Sequence, residues 1–287
     1  MKSRKLFKVC ALLMLAVMSC LLFSGCGGQS EQKKFVITYL PNESTDKNAD
    51  ARKGMAGDLS KVLGMEVTEL VSNDYNAVIE AMRTGKADMA YFGPLSFCLA
   101  YERAGAEPIG MIAKDKDKKN ATYKSVLVTS SKNTDINSIQ DIKGKTMAFV
   151  DPNSTSGNLI PSAAIMKAFP GEKLSMDDLH TNGKFFQAVS FSGKHQAGLA
   201  AEINAGRVSK DDVKIIFASD PIPSEPMALR RELPAEVKEK VKNFILSYDN
   251  AAYYKGVMGA EDKRFVECSI EDYKGIIDLN KALSSSK

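Results

Sequence analysis

Residues 151–158, Asp-Pro-Asn-Ser-Thr-Ser-Gly-Asn, put three consecutive hydroxyl side chains, Ser154, Thr155 and Ser156, between a strand-like run and a helix-like run. The strand-like run is Thr146 to Val150, and the helix-like run is Leu159 to Phe169. Two kinds of chemistry suit that junction. Ser, Thr and Asn accept hydrogen bonds from the free N–H groups of a helix's first turn, so the stretch would serve as a cap. The same N–H groups, with the positive end of the helix dipole, also hold an anion, and the hydroxyls add donors. The residues alone leave both readings open.

The elements around the stretch alternate. Phe35 to Leu40 reads as a strand, Ala49 to Leu63 as a helix and Glu66 to Val71 as a strand. Asn73 and Asp74 then cap a helix with Tyr75, Val78, Ile79 and Met82 on one face. Ala87 to Phe92 is a strand that breaks at Gly93-Pro94 into a helix running to Arg103. Ile109 to Ala113 and Ser125 to Thr129 are further strands, as are Phe185 to Phe191 and Val213 to Ala218. Between the last two, Ser192 to Gly198 opens a helix running to about Ala205. Pro234 starts a helix whose apolar face is Val237, Val241, Ile245 and Tyr248, and Ser269 to Leu283 makes a last amphipathic helix. Strand–helix alternation predicts an α/β fold with a mostly parallel sheet covered on both faces. In such sheets ligands sit at the carboxyl ends of strands, beside helix N-termini, where both Tyr91-Phe-Gly-Pro94 and the hydroxyl stretch lie.

The first 25 residues read as an export signal rather than as part of the fold. Lys2, Arg4, Lys5 and Lys8 precede an apolar run, Val9 to Phe23, too short for a membrane span. Leu22-Phe-Ser-Gly-Cys26 resembles a bacterial lipobox, with Cys26 as the acylated first residue, although Phe23 departs from the leucine usual there. Residues 26–34 then read as a short tether. The whole chain carries 39 basic and 35 acidic residues, but four basic and no acidic ones precede Cys26, so the mature chain balances at 35 each. That balance argues against a nucleic-acid binder, which needs a basic face. Of five cysteines only Cys98 and Cys268 remain once Cys10, Cys20 and Cys26 are set aside, and the two histidines, His180 and His195, lack metal-ligand spacing. The sequence points to no metal and no cofactor.

Five segments in order, Tyr39-Leu-Pro-Asn-Glu-Ser44, Ser72 to Phe97, Asp151 to Pro161, Phe191 to Gly206 and Ser219 to Pro234, closely resemble the phosphate/phosphite/phosphonate substrate-binding proteins of bacterial ABC transporters. The match covers nearly all of Phe35 to about Lys242. The resemblance implies a type II periplasmic-binding-protein fold of two α/β lobes, with a phosphorus oxyanion in the cleft between them. Lobe 1 would comprise 35–120 and 219–287, and lobe 2 would comprise 121–218. Carried over residue by residue, the ligand-binding set is Ser154, Thr155 and Ser156 with Tyr75, Tyr123 and His195. Tyrosine O–H groups donate without adding full charge, and a protonated histidine partly neutralises a dianion. Glu225 matches a carboxylate that meets the ammonium of aminophosphonates in some family members. A second such carboxylate belongs to a βα unit that is missing between Val208 and Val213, which weakens the case for an aminophosphonate.

The implied protein is an exported, lipid-anchored monomer at the outer face of the cytoplasmic membrane, handing its ligand to ABC permease subunits. Two alternatives stand beside it: a ligand-sensing subunit presenting the bound anion to a membrane receptor, and a phosphoryl-transfer enzyme. Against the enzyme, the chain has no Gly-x-Ser-x-Gly elbow and no Walker loop.

Overall fold

Phe35, Ile37 and Tyr39 are each 1 % exposed, so the first strand, β1 (Phe35–Tyr39), is buried along its length and takes the centre of a sheet. The computed structural model describes residues 34–41, 48–193 and 209–285. After β1 come α1 (Ala49–Leu63), β2 (Val67–Leu70), α2 (Tyr75–Arg83), β3 (Met89–Tyr91), α3 (Pro94–Ala104) and β4 (Glu107–Lys114). The chain continues through β5 (Thr122–Tyr123), β6 (Val126–Ser130), β7 (Thr146–Phe149), α4 (Ile160–Ala168), α5 (Met176–His180), β8 (Ala188–Phe191) and β9 (Val213–Ala218). It returns through β10 (Ile222–Pro223) and β11 (Pro226–Leu229) to α6 (Ala235–Ser247), α7 (Ala251–Met258), β12 (Lys263–Val266) and α8 (Lys274–Ser285).

Six strands form one sheet in the order β12-β4-β11-β3-β1-β2. The expectation of a mostly parallel sheet needs correction here. β1 runs parallel to β2 and β3, but β11 is antiparallel to both β3 and β4, and β12 is antiparallel to β4. The reason is topological: β11 arrives from the far part of the chain and inserts between two strands that run the other way. Alternation along the first hundred residues cannot reveal an inserted strand that comes from residues 226–229. Helices cover both faces. Val78, Ile79, Met82 and Phe97 from α2 and α3 pack on one side, and Met55, Leu59, Val241 and Ile245 from α1 and α6 pack on the other.

β5 and β10 cross side by side as an antiparallel pair, Tyr123 opposite Ile222, and carry the chain out of the large sheet and back. Beyond the crossing the sheet is split. β7 pairs in parallel with β8, β6 pairs antiparallel with β9, and no described strand joins the two ladders. The order matches the first sheet with one strand removed. β7 and β8 stand where β1 and β2 stand, β9 precedes a crossing as β4 does, and β6 enters antiparallel beside it as β11 does. The counterpart of β3 is absent among the described residues. The connection is also shorter: 36 residues (71–106) separate β2 from β4, but 21 (192–212) separate β8 from β9, and of these 194–208 lie outside the described residues. A small cavity of about 70 Å³ occupies the gap, lined by Leu127 and Val128 of β6, Met147 of β7, and Ile142, Phe186 and Ile216.

Several boundaries move from the sequence reading. Phe185 and Phe186 are buried core residues that precede the strand rather than belong to it. A wide turn, Thr155–Leu159, precedes α4. The helix read from Ser192 lies almost wholly in 194–208, outside the described residues.

Candidate functional site

The loop after β7 is built by its own side chains. Asp151 Oδ1 accepts from the Asn153 amide at 2.7 Å, and the Ser154 amide donates back to the Asp151 carbonyl at 2.9 Å. Ser154 Oγ accepts from Gly157 N at 3.2 Å, which is the capping bond anticipated for this stretch. Gly157 lies hard against the preceding strand: a Cβ there would stand 2.2 Å from Val150 Cγ2, so only glycine lets the turn fold back. The turn is of the wide π type, a rare geometry that is frequent at functional sites. Amides in the first turn of a helix have no acceptor within it, which makes the Thr155 and Ser156 N–H groups candidate donors to a ligand. Ser154 and Thr155 are 2 % and 3 % exposed.

Two other helix starts converge on this loop. Leu95 N, in the first turn of α3, donates to Thr155 Oγ1 at 2.8 Å. The Gly93-Pro94 entry positions it: Gly93 N donates to Ser96 Oγ at 3.0 Å, and proline at the first helical position needs no acceptor. The backbone amide of Tyr75, the first residue of α2, donates to the Asp151 carboxylate. Asp74 caps that helix, accepting from Ala77 N at 2.7 Å. Three positive helix ends thus meet around one buried hydroxyl loop. Burial pushes the Asp151 carboxyl above the usual aspartate range, and the nearby Asp74 charge adds to the rise, against the pull of the Asn153 and Tyr75 amides.

The residues singled out from sequence fall into three groups. Ser154, Thr155, Ser156 and Tyr75 come together here, with Tyr75 buried at the start of α2. Ser125 secures the loop to the crossing strands: its hydroxyl donates to the Ser156 carbonyl at 2.7 Å, and its amide to Ser219 Oγ at 3.0 Å. Tyr123 and Glu225 lie on the crossing, half-buried, the first in β5 and the second between β10 and β11. Ser224 Oγ donates to Glu225 Oε2 at 3.0 Å. Burial raises the pKa of Tyr273, and the neighbouring Cys268 and Glu225 add to the rise. His195 and Cys26 lie outside the described residues. Sequence reasoning did not single out Asp151, Asn158, His180 or the Leu95 amide. The first two stood inside the quoted stretch, and the Gly-Pro step announced the third helix start. Nothing announced His180, which bonds Asn158 from 22 residues away.

A mixed α/β fold with paired crossing strands, and helix starts converging on a hydroxyl loop, is the arrangement expected of a periplasmic-type binding protein for an anion. The family of ABC transporter, phosphonate, periplasmic substrate-binding proteins matches residues 37–273, and the chain belongs to it. Among curated relatives it is similar to the phosphate-import protein PhnD of Mycolicibacterium smegmatis, 27 % identical over 91 % of this chain and 89 % of that one. It is also 27 % identical to the phosphonates-binding periplasmic protein of Escherichia coli, over 83 % of this chain and 72 % of that one. A solved structure, the binding-protein component of a phosphonate ABC transporter from Pseudomonas aeruginosa, superposes with a TM-score of 0.71 at 22 % identity, covering 89 % of this chain and 88 % of that one. PhnD1 of Prochlorococcus marinus, solved with methylphosphonate, gives a TM-score of 0.68 at 21 % identity over 88 % of this chain and 99 % of that one. The fold is therefore the type II periplasmic-binding fold, and the protein is the substrate-binding component of an ABC importer.

Proposed function

We propose that this chain binds a phosphorus oxyanion (phosphonate, phosphite or phosphate) between its two lobes and delivers it to an ABC permease as a binder, not an enzyme. The observation that carries this reading is the convergence of the first turns of α2 and α3, and of the wide turn Thr155–Leu159 that leads into α4, on the loop from Asp151 to Ser156. Amides and hydroxyls there are neutral donors, suited to a phosphoryl group with several acceptor oxygens. Tyr75, Tyr123 and His195 complete the donor set, and Glu225 stands near the mouth. Lobe 1 comprises 35–120 and 219–287, lobe 2 comprises 121–218, and the β5–β10 crossing serves as the hinge between them. The Thr155–Leu95 bond joins the lobes directly, so closing brings the third helix end to the loop.

The mature chain is a monomer exported by residues 1–25 and held to the membrane through acyl groups on Cys26, with 26–34 as the tether. No described helix is long and apolar enough to cross a membrane. Cys26→Ala should release the protein from the membrane fraction or block its processing; a variant that stays membrane-bound and normally processed overturns the anchor. The ligand class is tested by thermal unfolding with phosphate, phosphite and methylphosphonate, with chloride as the control. A rise in Tm with a phosphorus oxyanion and none with chloride at equal ionic strength is expected, because a ligand that binds only the folded state stabilises it. An unchanged Tm with all three phosphorus anions contradicts the reading.

A further inference from the structure

We infer that His180 and Asn158 are positioning residues for the anion loop, holding the Thr155 and Ser156 amides in place from behind without touching the ligand. Asn158 is 1 % exposed at the back of the wide turn. Its Nδ2 donates to the Pro152 carbonyl at 2.8 Å, closing the loop across its base. Its Oδ1 faces His180 Nε2 at 2.7 Å. Because the amide nitrogen is committed to a carbonyl, the oxygen is the acceptor, and Nε2 carries the proton. His180 therefore fixes which way the Asn158 amide points, and Asn158 fixes the span from Pro152 to the first turn of α4.

The histidine is itself held. Its ring stands edge-on to Phe149 and to Phe191, each at 5.1 Å between centroids, and those two rings stack on each other at 5.7 Å. Phe149 ends β7 and Phe191 ends β8, so the ring is seated on the end of the strand that launches the loop and on the end of its parallel neighbour. A solvated surface histidine would have neither the aromatic seat nor a buried amide as partner. Burial keeps the ring's pKa below the usual histidine value, consistent with a neutral donor at physiological pH.

The test has two readouts. His180→Phe keeps an aromatic ring in the seat but deletes the donor, and His180→Gln restores an N–H near the place of Nε2. Calorimetric titration with methylphosphonate and phosphate should show about tenfold or greater weakening in His180→Phe and recovery in His180→Gln, because a displaced donor loses its geometry. In the ligand-free protein, amide exchange at 152–159 should quicken in His180→Phe while Tyr75–Arg83 exchanges as before. Asn158→Asp, an isosteric change, keeps the acceptor for His180 but loses the donor to Pro152, and should quicken the same amides if His180→Phe fails to fold. The affinity arm rests on the proposed oxyanion site and the exchange arm does not: a wild type that takes neither anion sinks the site, while loop exchange still decides the positioning role. Unchanged exchange at 152–159 in both His180→Phe and Asn158→Asp, or equal loss of affinity in His180→Phe and His180→Gln, overturns the inference.

Discussion

Thr155 caps a helix, but not its own: its Oγ1 lies 2.8 Å from the backbone nitrogen of Leu95, in the first turn of α3, 60 positions earlier in the chain. A hydroxyl that accepts a hydrogen bond becomes a better donor, so an anion in the loop draws on α3 through Thr155 as well as on its own helix start. Of the two readings of the hydroxyl stretch, the cap is present in this bond, and the proposed anion site would draw on the same residue.

Thr155→Val, which keeps the volume and loses the hydroxyl, should therefore lower both quantities. Binding should weaken by about 1.5–3 kcal/mol, the range for hydrogen bonds to charged groups. Stability should fall by about 0.5–2 kcal/mol, as for a lost cap. Thr155→Ser should retain most of both. Calorimetry and thermal unfolding separate the outcomes; a valine variant that is destabilised yet binds normally leaves only the cap.

Asp151 carries a pH signature. Its folded-state pKa lies above the ordinary value of 3.8, so its ionised form costs stability at neutral pH, and that cost fades as pH falls through the raised pKa toward 3.8. Asp151→Asn removes the charge and keeps an oxygen for the Asn153 and Tyr75 amides. The variant should unfold at a higher temperature than wild type near pH 7, with the gap narrowing toward about pH 4. A less stable variant at neutral pH would show that the carboxylate charge holds the start of α2 and outweighs desolvation.

Glu225 already accepts from Ser224 and is only half-buried. A single partly solvated carboxylate offers an ammonium group on the order of 0–1 kcal/mol. Calorimetry should give at most a several-fold preference for 2-aminoethylphosphonate over an unaminated phosphonate of similar size, little altered by Glu225→Gln. A preference above about a hundredfold that the variant abolishes, a difference of roughly 2.7 kcal/mol, would place Glu225 against the ligand.

The split sheet predicts uneven stability. Two-stranded ladders are marginal on their own, and the core around them is small, with Leu127, Ile142, Phe149, Ile165, Leu179, Phe185 and Phe186 fully buried. Amides of β6, β7, β8 and β9 should exchange faster than those of β1 and β3 in the ligand-free protein, and slow when the loop is occupied. Uniform exchange across both regions would show that the gap costs nothing.

Much of this was legible in the chain. Tyr75, Val78, Ile79 and Met82 share a helical face and are all buried, and Asp74 caps that helix as its type and position announce. The shortfall between Val208 and Val213 lies beside 194–208, outside the described residues, and no described strand stands as the counterpart of β3. What escaped was non-local. The place of β11 in the sheet, the reach of Thr155 to Leu95 and the bond from His180 to Asn158 each join residues that only folding brings together, and no local pattern encodes them. The short helix α7 escaped as well: Tyr253, Tyr254, Val257 and Met258 share its buried face, but Ala251–Met258 is barely two turns long, too short for periodicity to stand out.

The central claim, that three helix starts around Ser154–Ser156 hold a phosphorus oxyanion, is tested most directly by calorimetric titration of the purified mature protein with phosphate, phosphite, methylphosphonate and 2-aminoethylphosphonate. The account predicts saturable one-to-one binding of at least one of them, weakened in Thr155→Val. No heat with any of the four, from a protein shown to be folded, would contradict it.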